Sequence, residues 1–134
     1  MPSGYFQSGL KRDFNVGDYE VLLVGTDYTH DPDVEFVDDI SGDELSGDGY
    51  ERKSVSPTQE YDATENEKAV SVGDLTWDDA DFGEVQGAIL FDQETDDTDS
   101  PVCIYSELDE SVVTNGGDFT FVEDEEGFGK ISIT

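Results

Sequence analysis

Nucleophilic or general-base chemistry in this chain would have to run through a single histidine and a single cysteine. His30 stands in Tyr28-Thr29-His30-Asp31-Pro32-Asp33, a turn-forming run before a predicted helix, and reads as a turn residue. Cys103 lies in Val102-Cys103-Ile104-Tyr105, where strand alternation puts Cys103 and Tyr105 on one face and Val102 and Ile104 on the other. It reads as a small core hydrophobe, because no neighbour in sequence would activate the thiol. The acidic residues number 35, so some pair always falls at the separation that glycosidases use, and paired carboxylates identify no active site. The chain is therefore expected to be non-enzymatic.

Metal ligation is the better chemical use of the acids. Asp92, Glu94 and Asp96 occupy the first, third and fifth places of a calcium-loop pattern, with Asp99 following. The pattern then breaks, since Asp97 stands where glycine is needed and Cys103 where a bidentate glutamate is needed. The candidates Asp92, Glu94, Asp96 and Asp99 thus compete with diffuse condensation of K, Na, Mg or Ca ions, and no cofactor is expected. Four of the six basic residues form two pairs, Lys11-Arg12 and Arg52-Lys53. Where so little positive charge is retained, those pairs are candidates for contacts to another subunit, with internal salt bridges as the alternative reading.

The formal net charge is −29 over 134 residues. At ordinary ionic strength such repulsion is screened only beyond about 8 Å, whereas in molar salt the distance falls to about 3 Å, which points to adaptation to high salt. Nucleic acid is excluded as a direct partner, because phosphates would be repelled. No stretch reaches the roughly 20 apolar residues of a membrane helix, and Met1 to Asn15 carries no apolar segment of a secretory signal.

The elements that would position these residues are mostly strands. Tyr19 to Gly25 is nearly continuously apolar, as in a strand buried on both faces. Phe6, Leu10 and Phe14 are spaced by four, predicting a short helix in an N-terminal arm over residues 1–18. Asp31-Pro32, followed by Val34, Val37 and Ile40 and closed by Gly42, predicts a second helix of about two and a half turns. Strands are then predicted at 50–55, 69–72, 75–77, 86–92, 102–107, 118–123 and 130–134, separated by glycine-rich turns, with 92–99 a solvated loop. One all-β domain over 1–134 is expected, a β-sandwich of jelly-roll or Ig-like type with about seven to nine short strands.

The order of the motifs resembles a family of small structural proteins of tailed phages. The resemblance runs through Ser8-Gly9-Leu10-Lys11, Val21 to Val24, Asp27-Tyr28-Thr29, Glu44-Leu45-Ser46-Gly47-Asp48-Gly49-Tyr50, Asp74-Leu75-Thr76-Trp77 and Thr114-Asn115-Gly116-Gly117-Asp118-Phe119-Thr120. It implies a β-sandwich virion protein without catalytic residues. Departures are chiefly in acidity, at Asp78-Asp79-Ala80-Asp81 and Glu123-Asp124-Glu125-Glu126, which shifts the expected host to a haloarchaeon or a halophilic bacterium. The leading expectation is a capsid decoration or turret protein, a ring or trimer on the virion surface that contacts the major capsid protein and is assembled in the host cytoplasm. A tail or neck component is the first alternative, and a module binding host-surface glycan the second.

Overall fold

Two strands with continuous apolar runs, Val21 to Val24 and Gly87 to Phe91, organise the molecule, because each run can be satisfied only where both of its faces are covered. The computed structural model describes residues 3–5, 14, 17–62, 67–123 and 129–132. In chain order the strands are β1 (Ser3–Tyr5), β2 (Tyr19–Val24), β3 (Lys53–Val55), β4 (Thr58–Asp62), β5 (Glu67–Ser71), β6 (Leu75–Trp77), β7 (Glu84–Asp92), β8 (Val102–Val113), β9 (Phe119–Phe121) and β10 (Gly129–Ser132). All pairings are antiparallel. They form a five-stranded sheet in the order β1-β8-β7-β2-β3, a three-stranded sheet β10-β5-β4 and a two-stranded sheet β6-β9.

The alternation of β2 and β7 divides the core in two. Val21, Leu23, Ala88 and Leu90 face one cluster, joined by Val70 of β5, Trp77 of β6 and Phe119 and Phe121 of β9. Leu22, Val24, Ile89 and Phe91 face the other, which Tyr28, Val37 and Ile40 close from the far side. The expectation that Tyr19 to Gly25 is buried on both faces therefore holds.

A register shift corrects the expected facing of Cys103. Leu90 pairs with Ile104 but Phe91 pairs with Val102, so Cys103 is an extra residue on β8, a β-bulge. Alternation slips by one there. Cys103 and Ile104 share one cluster, while Val102 and Tyr105 share the other.

The second predicted helix also needs correction. Asp31 and Pro32 open a turn, in which Asp31 accepts from the Asp33 amide through its side chain at 3.0 Å and from the Val34 amide through its carbonyl at 3.2 Å. The helix is a 3₁₀ helix from Val37 to Asp43. Its entry is tied to a neighbouring loop rather than to an α-helical turn: Val37 donates to the Ser100 carbonyl, Asp38 to that of Asp97, and Val102 to that of Glu35, each at 3.0 Å. The spacing of three between Val37 and Ile40 suits this geometry, since residues three apart eclipse on a 3₁₀ helix and both side chains reach the core.

Other boundaries moved. β3 starts at Lys53 rather than at residue 50, β8 runs on to Val113, and β1 and β4 are strands that hydrophobic periodicity did not mark. The predicted N-terminal helix falls outside the described residues, apart from a buried Phe14 whose amide donates to Gln59 Oε1 at 3.0 Å.

Candidate functional site: an arginine clamp and an acceptor-lined cleft

Glycine turns at Gly47 and Gly49, both at positive φ, bring the chain round so that Arg52 enters β3 beside the residues that follow the 3₁₀ helix. Glu44 is held there by a bridge to Val24 at the end of β2. The Arg52 guanidinium donates to Glu44 through Nε to Oε2 at 2.9 Å and Nη2 to Oε1 at 2.7 Å. It donates to Asp97 through Nη1 to Oδ1 at 2.7 Å and Nη2 to Oδ2 at 2.9 Å. Its carbon lies 5.1 Å from the centroid of the Phe91 ring. These hydrogen bonds, from Glu44 first and then Asp97, hold the guanidinium above its ordinary pKa, and Arg52 holds the Asp97 carboxyl below the usual aspartate range. Tyr50 completes the group: its hydroxyl donates to Glu44 Oε2 at 2.5 Å and accepts from the Leu23 amide at 3.2 Å. Burial, then the bond to Glu44, pushes the phenol up.

Of the four subunit-contact candidates, Arg52 is thus committed to acids of its own chain. Lys53 is too, with Nζ 2.8 Å from Glu51 Oε1 and 5.5 Å from the Trp77 ring centroid. Lys11 and Arg12 lie outside the described residues. Glu44, which anchors the clamp, is a residue that sequence reasoning missed, because no local pattern links it to Arg52.

The candidate metal ligands do not converge. Asp92 is buried at the end of β7 and accepts from the Asp18 amide at 3.2 Å. Asp96 accepts from the Thr98 amide at 2.9 Å and from the Thr98 hydroxyl, which lowers its pKa, while Asp99 accepts from the Asp96 amide at 2.9 Å. These are the bonds of a turn that caps its own amides. Among the described residues no three His, Cys, Asp or Glu side chains are grouped to hold a metal ion.

His30 stacks on Tyr105, with centroids 5.3 Å apart, and its Nδ1 lies 3.3 Å from the Tyr28 hydroxyl. Tyr28 meets Tyr105 edge to face at 4.8 Å, and burial raises the pKa of both phenols. Trp77 is fully buried and its indole Nε1 donates to the Glu51 carbonyl at 2.6 Å, so the one tryptophan offers no platform for a sugar.

A cleft of about 620 Å³ opens where β2 begins, between β3 and the loop after β7. Phe14, Val55 and Pro57 give it apolar lining, and Asp18, Glu20, Gln93 and Glu94 are its larger polar residues. Gly17, at φ +128°, belongs to the wall, and a Cβ there would come within 2.9 Å of the Tyr19 ring and 3.1 Å of both Asp92 carboxylate oxygens. Gln93 is fixed by its amide, which donates to the Asp18 carbonyl at 2.7 Å, and by Nε2, which donates to the Glu94 carbonyl at 3.0 Å. Its Oε1 is buried and has no donor among the described residues. Comparison with protein-family models, with curated proteins and with solved structures returns no match to this chain.

Proposed function

We propose that the chain is a non-enzymatic structural subunit of a tailed-virus particle from a high-salt host, a decoration or turret protein on the head. The observation that carries this reading is the use the fold makes of its reactive side chains. Cys103 fills a bulge in the core, His30 stacks on Tyr105, and Arg52 ties three segments of the chain together. Each serves packing in a small antiparallel β body. The exterior is left strongly anionic, in keeping with the net charge of −29. The order of the turn and strand motifs supports the virion assignment, and the three sheets are read as a sandwich in which β5, β6 and β9 pack over the central sheet.

A ring or trimer of such subunits is self-repelling, because like charges brought into an interface cost several kcal/mol. With Arg52 and Lys53 engaged with acids of their own chain, solvent cations are the bridge expected between copies, and Lys11-Arg12 keeps its place as a contact candidate. Quantitative composition of purified particles tests the reading. A copy number comparable to that of the major capsid protein is expected; a far lower number moves the chain to the tail or neck, and absence from particles overturns the proposal.

A further inference from the structure

Asn115 precedes Gly116, whereas Asn15 precedes Val16 and Asn66 precedes Glu67. Asparagine is among the thermally labile side chains, and its amide is most open to attack where the next residue has no side chain to hold the following backbone nitrogen away. Asn115, Gly116 and Gly117 are exposed, with Gly116 at φ +91°. A Cβ on Gly116 or Gly117 would meet nothing within 4 Å, so no neighbour crowds the outer side of this turn. Its inner side is fastened at both ends. Before the asparagine, the buried Thr114 donates to the Gly83 carbonyl from its amide at 2.9 Å and from its hydroxyl at 2.7 Å, and that hydroxyl accepts from the Phe82 amide at 2.8 Å. After it, Gly116 donates to the Ala80 carbonyl at 2.6 Å, and Ala80 donates to the Gly117 carbonyl at 2.8 Å.

We propose that Asn115-Gly116 is a self-modification site, a spontaneous deamidation held latent by the bond from Gly116 to Ala80. In the reaction the Gly116 nitrogen gives its proton to solvent and bonds to Cγ of Asn115, while the C–N bond of the side-chain amide breaks and ammonia leaves. Water then opens the cyclic imide at either carbonyl, leaving an aspartyl or an isoaspartyl residue at position 115. A nitrogen whose hydrogen is donated at 2.6 Å, in a turn pinned on both sides, neither loses that proton nor swings toward Cγ until the turn lifts from residues 80–83. The change is one-way. An isoaspartyl link adds a carbon to the main chain between the Thr114 and Gly116 anchors, and either product adds a carboxylate next to the run Asp78-Asp79-Ala80-Asp81. The product therefore records that the turn has opened, whatever assembly the chain enters.

An opening that frees the Gly116 nitrogen for reaction also frees its amide hydrogen for exchange with solvent, so the fold must suppress both processes together. The full chain is incubated in mildly alkaline buffer at moderate salt, with and without urea above the unfolding midpoint, and the acid formed at position 115 is followed by peptide mass spectrometry. Conversion should be at least about tenfold slower in the folded protein than in urea, an opening free energy of about 1.4 kcal/mol or more. Amide exchange at Gly116 should be slowed by the same factor to within about threefold. Thr114→Val, which removes the hydroxyl that ties the turn to Phe82 and Gly83, should speed conversion and exchange alike, up to the urea rate if the variant unfolds. Conversion as fast in the folded protein as in urea, no conversion in urea, suppression of conversion and exchange by different factors, or a Thr114→Val variant that changes neither would each overturn the site.

Discussion

Arg52 and Glu44 meet side by side, Nε on Oε2 at 2.9 Å and Nη2 on Oε1 at 2.7 Å, and the same guanidinium holds Asp97 with its remaining face. The three residues come from the lead into β3, the exit of the 3₁₀ helix and the loop after β7. One side chain therefore ties three connections together, adding to the backbone bonds that already join the 3₁₀ helix to the loop after β7.

Removing that lock should be costly. Arg52→Ala deletes the four hydrogen bonds and leaves Glu44 and Asp97 as neighbouring like charges in a partly buried site, for an expected loss of about 2–3 kcal/mol. Arg52→Lys keeps the charge but has no planar fork, and should still lose about 1 kcal/mol. Urea midpoints at unchanged slope report both losses; a midpoint within error of the parent for Arg52→Ala would show the clamp to be idle. An Arg52→Glu change would set a third carboxylate beside Glu44 and Asp97 and destabilise the monomer, so it cannot serve as a test of assembly.

The clamp also has a pH signature. Arg52 depresses the Asp97 pKa in the folded state, so the ionised form favours folding. That contribution is fully present above the unfolded aspartate value of about 3.9 and is lost as pH falls through the lower folded value. Asp97→Asn should therefore lower stability at neutral pH and flatten its decline below about pH 4. An acid-unfolding curve for Asp97→Asn that runs parallel to the parent curve at every pH would remove Asp97 from this role.

What the sequence revealed follows from how local each cause is. β2 and β7 were legible because burial on both faces demands continuous apolar runs, and the spacing of Val34, Val37 and Ile40 showed a helical segment. That segment is 3₁₀ rather than α, and its first two amides find their acceptors in the carbonyls of Ser100 and Asp97, partners about sixty residues away, beyond any local pattern. β4 went unseen because Thr58-Gln59-Glu60 is polar and gains its place by pairing with β5. The slip at Cys103 arises from the register against β7, which no window on β8 contains. The clamp was hidden for the same reason: Arg52 lies eight residues from Glu44 and forty-five from Asp97. In the acidic loop Asp97, which takes a salt bridge from Arg52, was a residue that the calcium-loop pattern rejected.

Gly87 offers a sharper test of the central sheet. A Cβ there would sit 2.6 Å from the Ser106 carbonyl oxygen and 2.6 Å from Cε1 of Tyr105, so β7 and β8 pack too closely for any side chain. Gly87→Ala should cost at least about 2 kcal/mol, in the range of overpacked cores. Gly117→Ala, where a Cβ meets nothing within 4 Å, should stay within about 0.5 kcal/mol of the parent. Equal melting temperatures for the two variants would mean that the β7–β8 spacing is looser than described.

Salt should act on the exterior and spare the clamp. The net charge of −29 opposes compaction through exposed acids, and their repulsion reaches about 30 Å in 10 mM salt but only about 3 Å at 1 M. Melting temperature should therefore rise steeply as KCl is raised from tens of millimolar to molar. The Arg52 site is different, because its side chains are 23% exposed for Arg52 and 15% for Glu44, and partly buried pairs are screened much less. The gap between the parent and Arg52→Ala should persist across the salt series while both curves climb together. A flat melting temperature would refute high-salt adaptation. A gap that closes in molar KCl would mean that the clamp behaves as an ordinary surface ion pair, worth no more than about 1 kcal/mol.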